Sequence, residues 1–93
     1  MTDEGVRLDV RIEGWVQGVG FRWWTRNQAR RLGLSGTATN LRDGSVRIVA
    51  EGSQRACATL LDLLRNGQAP GVVRSVDVEW GRADGGFSGF SVD

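Results

Sequence analysis

Val6, Leu8, Val10 and Ile12 alternate with Arg7, Asp9, Arg11 and Glu13. Apolar residues at every second position can be hidden from water only by a β-strand with one face against a core. That strand runs into Gly14-Trp15-Val16-Gln17-Gly18-Val19-Gly20, whose three glycines break the alternation. From Phe21 the period changes. Phe21, Trp24, Ala29 and Leu32 mark a helix of about three turns, with Gly33 placed to end it. The chain therefore begins as a strand that turns through glycines directly into a helix.

Downstream, Ser35 to Asn40 is rich in Thr and small residues, Arg42-Asp43-Gly44-Ser45 supplies turn chemistry, and Val46, Ile48 and Ala50 alternate again. This predicts a hairpin about Asp43-Gly44. Ser53 is an N-cap candidate for a second helix, in which Ala56, Leu60, Leu61 and Leu64 recur at helical spacing until Asn66-Gly67. After the single proline, Pro70, Val76, Val78 and Trp80 alternate with Asp77 and Glu79 as a further strand, and Phe90 and Val92 suggest a short last one. The order is strand, helix, strand, strand, helix, strand. It matches the ferredoxin-like β-α-β-β-α-β sandwich of the α+β class, with two helices packed on one face of an antiparallel sheet and a short fifth strand at the end. The length of 93 residues suits one domain over 1–93.

Composition narrows the chemistry. All twelve basic residues are arginine, and histidine and tyrosine are absent. General acid–base catalysis by His and covalent catalysis by Lys, Tyr or a Cys–His pair are therefore excluded. With Cys57 the only cysteine, no intrachain disulfide can form, and a metal site is not expected. A lone cysteine fits the reducing cytoplasm. The start Met-Thr-Asp-Glu-Gly carries no long apolar run, and no segment approaches the ~20 apolar residues of a membrane span. A net charge of +1 is too small for a general nucleic-acid binder. The expectation is a cytoplasmic protein that needs no cofactor and binds neither membrane nor nucleic acid. A monomer is the default for so small and polar a chain.

A glycine-rich turn from strand to helix can aim successive main-chain N–H groups into one concavity, which favours anions. The helix start adds unpaired N–H groups and the positive end of its dipole. Arg22, at that start, can clamp two oxygens with its planar fork. Composition and glycine spacing alone leave a phosphate grip and a purely structural turn both open.

The residues themselves decide between these. Gly14-Trp15-Val16-Gln17-Gly18-Val19-Gly20-Phe21-Arg22 resembles the signature of the acylphosphatases, and Gly36-Thr37-Ala38-Thr39-Asn40-Leu41-Arg42-Asp43-Gly44-Ser45-Val46 resembles their second signature. The resemblance spans essentially the whole chain. It implies hydrolysis of a small acyl phosphate, a carboxyl–phosphate mixed anhydride, to a carboxylate and inorganic phosphate. By that resemblance the main-chain N–H groups of Gln17, Gly18, Val19, Gly20, Phe21 and Arg22 surround the phosphoryl oxygens. Arg22 binds the phosphoryl group, and Asn40 orients the attacking water, with no metal and no phosphoenzyme. Phosphoryl transfer asks mainly for positioning and for donors to the equatorial oxygens, so a strong base is dispensable. Asn40 carries a donor and an acceptor and can hold a water without titrating. The second signature departs from the family pattern at positions 37 and 39, usually aromatic and basic and both Thr here, which bears on substrate affinity more than on reaction type.

Other residues carry competing readings. Arg22, Arg26 and Arg30, at i, i+4 and i+8, form either a face that guides phosphate or an ordinary solvated face. Trp24 and Trp80 fall in core patterns, whereas Trp15 and Trp23 flank the loop and could wall an acyl group. Asp43 precedes Gly44 and is read as a turn former rather than a base. Cys57 is read as a small apolar helix residue. A ferredoxin-like sheet can also bind single-stranded RNA, but the aromatic Arg-Gly-Phe-Gly-Phe-Val type of pattern is missing. The remaining alternative is a binding or regulatory domain that keeps the loop to hold phosphate or carbamoyl phosphate without turnover.

Overall fold

The computed structural model describes residues 5–66 and 68–93; the acidic start at 1–4 and the helix stop at Gly67 lie outside them. Seven elements follow in order: β1 (Val6–Trp15), α1 (Phe21–Arg31), β2 (Ser35–Asn40), β3 (Val46–Gly52), α2 (Gln54–Arg65), β4 (Val72–Arg82) and β5 (Phe90–Val92). The strands form one sheet in the order β4-β1-β3-β2-β5. Leu8, Val10 and Ile12 point from the central strand into the core with Val46, Ile48 and Ala50 of β3, against Phe21 and Ala29 of α1 and Leu60 and Leu64 of α2. Burying each of the larger of these side chains contributes about 1.5–3 kcal/mol. Among the described residues no helix is long and apolar enough to cross a membrane.

The end of α1 and the start of α2 follow from local chemistry. At the end of α1, the Gly33 N–H donates to the Arg30 carbonyl at 3.1 Å and the Leu34 N–H to that of Ala29 at 2.9 Å. This paired arrangement about a left-handed glycine stops the helix and drives Leu34 into the core. At the start of α2, the Ser53 hydroxyl oxygen accepts from the Ala56 N–H at 3.1 Å, as its N-cap pattern predicts.

The sheet is mixed rather than wholly antiparallel. β1, β2, β3 and β4 pair antiparallel as expected, but β5 lies parallel to β2, with Gly36 opposite Phe90 and Ala38 opposite Val92. The reason is the path of the chain. β4 and β3 run opposite to β1, so β4 finishes at the end of the sheet where β1 and β2 begin. Residues 83–89 cross along that end to the far edge, and the strand they feed must run in the direction of β2. Glu51, only 4% exposed, fastens this crossover by accepting the Asp84 N–H at 2.9 Å and the Gly85 N–H at 3.0 Å. Arg7 holds the Asp84 carboxylate at 2.8 Å.

Trp80 departs from the core position that its period-two pattern predicts. It shares the helix-side face with Leu8, its register partner, yet is 46% exposed. β4 is an edge strand, so no further strand flanks Trp80 on its outer side. Trp24, by contrast, packs against the core, with its ring 6.1 Å from that of Phe21.

Candidate active site

Because β1, β2 and β5 run in one direction, their last residues meet at the end of the sheet opposite the crossover, where α1 begins. The glycine loop, Asn40 and Asp93 therefore share one end of the molecule. In the loop, Val16 and Phe21 are buried and anchor it, while Gly18 and Gly20 between them are exposed. These two glycines have φ of 74° and 85°. A Cβ on either would meet nothing within 4 Å, so conformation rather than space demands glycine there.

Gly20 is the N-cap of α1 and has no side chain with which to cap it. The first helical hydrogen bond runs from the Trp24 N–H to the Gly20 carbonyl at 3.0 Å. The N–H groups of Phe21, Arg22 and Trp23 come before it and have no acceptor within the helix. No acidic residue of the helix occupies its first turn, so none of its own side chains offsets the positive end of the dipole there.

The Arg22 guanidinium lies at this helix start and donates to the main-chain oxygen of Asp93. On the other side, the Thr39 hydroxyl donates to the Asp93 carboxylate at 3.2 Å. Asp93 thus joins Arg22 to the strand end that carries Asn40. Asn40 is the last residue of β2, opposite Val46. Its Oδ1 is buried and receives no hydrogen bond, the only such side-chain atom among the described residues. A buried acceptor left unpaired costs about 1–3 kcal/mol.

Asp43 behaves as a turn former. Its carboxylate accepts the Ser45 N–H at 3.0 Å and also the Ser45 hydroxyl, and it pairs with the Arg11 guanidinium. The stripe Arg22, Arg26, Arg30 divides its labour: Arg30 donates to the Phe90 carbonyl at 3.4 Å, and the Arg26 guanidinium lies 5.0 Å over the Trp23 ring. Two of the three thus hold the terminal strand. Trp15, 67% exposed, and the exposed Trp23 flank the loop. The Cys57 thiol is buried, and that burial, reinforced by the Glu51 carboxylate, pushes its pKa up to about 11. It is protonated near neutral pH and is no nucleophile.

No three His, Cys, Asp or Glu side chains gather as a metal-binding group among the described residues. A hollow of about 300 Å³ on the open face of the sheet is lined by Asp9, Arg11, Asp77, Val78 and Glu79. Three carboxylates against one guanidinium make it unsuited to a phosphate. The loop end instead carries the unpaired N–H groups of the α1 start and the Arg22 guanidinium, with the Asp93 carboxylate beside them.

Asp93 and the Gln17 side chain are parts of this arrangement with no local sequence signal. Gln17 bonds to residues 24 and 28 positions away, and Asp93 lies 71 positions from Arg22. Asp93 sits beyond a three-residue strand whose place in the sheet only the crossover determines.

A family model described as Acylphosphatase matches residues 8–92. An acylphosphatase of Thermobifida fusca is 59% identical over 87 residues, covering 94% of this chain and 96% of that protein. The crystal structure of acylphosphatase from Bacillus subtilis superposes with a TM-score of 0.88 at 32% identity, over 95% of this chain and 98% of that one. Full-length HypF, in its phosphate- and nucleotide-bound form, contains the same fold, with a TM-score of 0.90 at 21% identity over 100% of this chain and 12% of its own.

Proposed function

This chain belongs to the acylphosphatase family, and from that premise we propose how its residues hydrolyse an acyl phosphate to a carboxylate and inorganic phosphate. The main-chain N–H groups of Gln17 to Arg22 surround the phosphoryl oxygens. The Arg22 fork binds two of them and neutralises the charge that builds on the equatorial positions. Asn40 holds a water through its side-chain amide, in line with the bond to be broken. As the bond from water oxygen to phosphorus forms, the bond from phosphorus to the acyl oxygen breaks. The electron pair leaves with the carboxylate, and the water proton passes to phosphate or solvent. A carboxylate is a weak base and leaves without a general acid, which suits a site where histidine is absent.

The observation that carries this reading is the buried, unpaired Oδ1 of Asn40. Among the described residues no group donates to that oxygen, so the Asn40 amide is not committed there to a structural bond and is left to orient the water that hydrolysis needs. The same reading takes residues 1–93 as a single domain that works as a cytoplasmic monomer. It needs only the acyl phosphate and releases inorganic phosphate, without metal, nucleic acid or membrane. Purified protein given acetyl phosphate or benzoyl phosphate in EDTA is expected to release inorganic phosphate at the rate seen without chelator. Binding of phosphate with no turnover would make the chain a binding domain, and loss of activity in EDTA would overturn the metal-free mechanism.

A further inference from the structure

The Gln17 side-chain amide leaves the glycine loop and spans to the hairpin that follows Asn40. Its Nε2 donates to the Leu41 carbonyl at 2.7 Å and to the Ser45 carbonyl at 2.9 Å. Two carbonyl oxygens facing one end of an amide fix which end it is, because only the nitrogen can donate to both. The Ser45 carbonyl also accepts the Leu41 N–H at 2.8 Å, so both acceptors belong to one closed turn. That turn is fastened in its own right by Asp43 through Ser45 and Arg11. Gln17 therefore connects two bodies that are each rigid without it. One is the loop with the start of α1, anchored by the buried Val16 and Phe21. The other is the β2–β3 turn, whose first residue, Leu41, is bonded directly to Asn40.

We infer that the Gln17 side chain is a positioning residue that sets the distance and angle between the phosphoryl cradle and the water held by Asn40. The inference rests on the roles proposed above for those two groups. The cradle and Arg22 lie on the same body, so phosphate binding does not depend on the tie. The line from the water to phosphorus crosses between the two bodies and does depend on it. Misplacement of a reacting group by about 1 Å costs on the order of a hundredfold in rate. A carboxylate at this position would face two carbonyl oxygens and could not make the tie, which gives a glutamine a specific reason to be here.

Gln17→Met keeps the length of the side chain and removes both donors. Its kcat for benzoyl phosphate is expected to fall by about 10- to 100-fold, while KM and the inhibition constant of inorganic phosphate stay within about twofold. Placed on an Asn40→Ala background, the same change is expected to lower kcat no further, because the group it positions is already gone. If Gln17→Met does not fold, as judged by circular dichroism, Gln17→Asn carries the same expectation, since it keeps an amide too short to span both carbonyls. An unchanged kcat, or a loss matched by an equal weakening of phosphate inhibition, would overturn the inference. So would a full further loss in the Asn40→Ala background. Failure of the underlying reading shows separately, as an Asn40→Ala enzyme that keeps wild-type kcat.

Discussion

Arg22→Ala is expected to lower kcat/KM for acetyl phosphate by on the order of a hundred- to a thousandfold, the usual cost of removing one preorganised donor to a developing oxyanion. The guanidinium can bind phosphoryl oxygens in the substrate, in the transition state and in released phosphate. Its loss is therefore expected to raise both KM and the inhibition constant of inorganic phosphate, as well as to lower kcat. Arg22→Lys restores the charge but not the fork, and recovers only part of the loss. Stability is a separate readout, because Arg22 also donates to the main-chain oxygen of Asp93 at the end of β5. Thermal denaturation beside the kinetics separates the two: a modest drop in Tm with the full kinetic loss is expected. A variant with unchanged phosphate inhibition would place the phosphoryl group somewhere else.

Asn40→Ala is expected to lower kcat by a comparable factor, on the order of a hundred- to a thousandfold, with KM and phosphate inhibition little changed. The contrast with Arg22 follows from the role proposed for each group, a water held in one case and the phosphoryl group in the other. The same substitution deletes the buried, unpaired Oδ1. No group of the described residues donates to that oxygen, so the substitution breaks no hydrogen bond of the chain to it, and Asn40→Ala is expected to be about as stable as the wild type. Loss of activity together with a steady Tm is the signature of a group kept for chemistry rather than for folding. Equilibrium denaturation in urea checks it, and a destabilised variant would mean that Asn40 is instead a structural turn residue.

How far the sequence discloses this arrangement depends on how local each determinant is. The alternation of Val6, Leu8, Val10 and Ile12, the cap at Ser53 and the left-handed stop at Gly33 each act within a few residues. The structure repeats them element by element. The glycine loop is legible for the same reason, since Gly18 and Gly20 carry their unusual conformation themselves. The parallel placement of β5 is not legible, because it is decided by the route of residues 83–89 and by a carboxylate, Glu51, that lies in another strand. Trp80 misleads because a period-two pattern reports which face a residue takes, not whether the sheet continues beside it. Asp93 and the Gln17 side chain draw on partners distant in sequence, where neither periodicity nor turn chemistry leaves a mark.

In the proposed reaction the water held by Asn40 attacks phosphorus and not the acyl carbon. Hydrolysis of benzoyl phosphate by the wild-type protein in water enriched in oxygen-18, with both products analysed by mass spectrometry, tests it directly. One labelled oxygen is expected in the inorganic phosphate and none in the benzoate. Label in the benzoate would mean that water attacks the carbonyl group, and would contradict the roles assigned to the loop, Arg22 and Asn40 together.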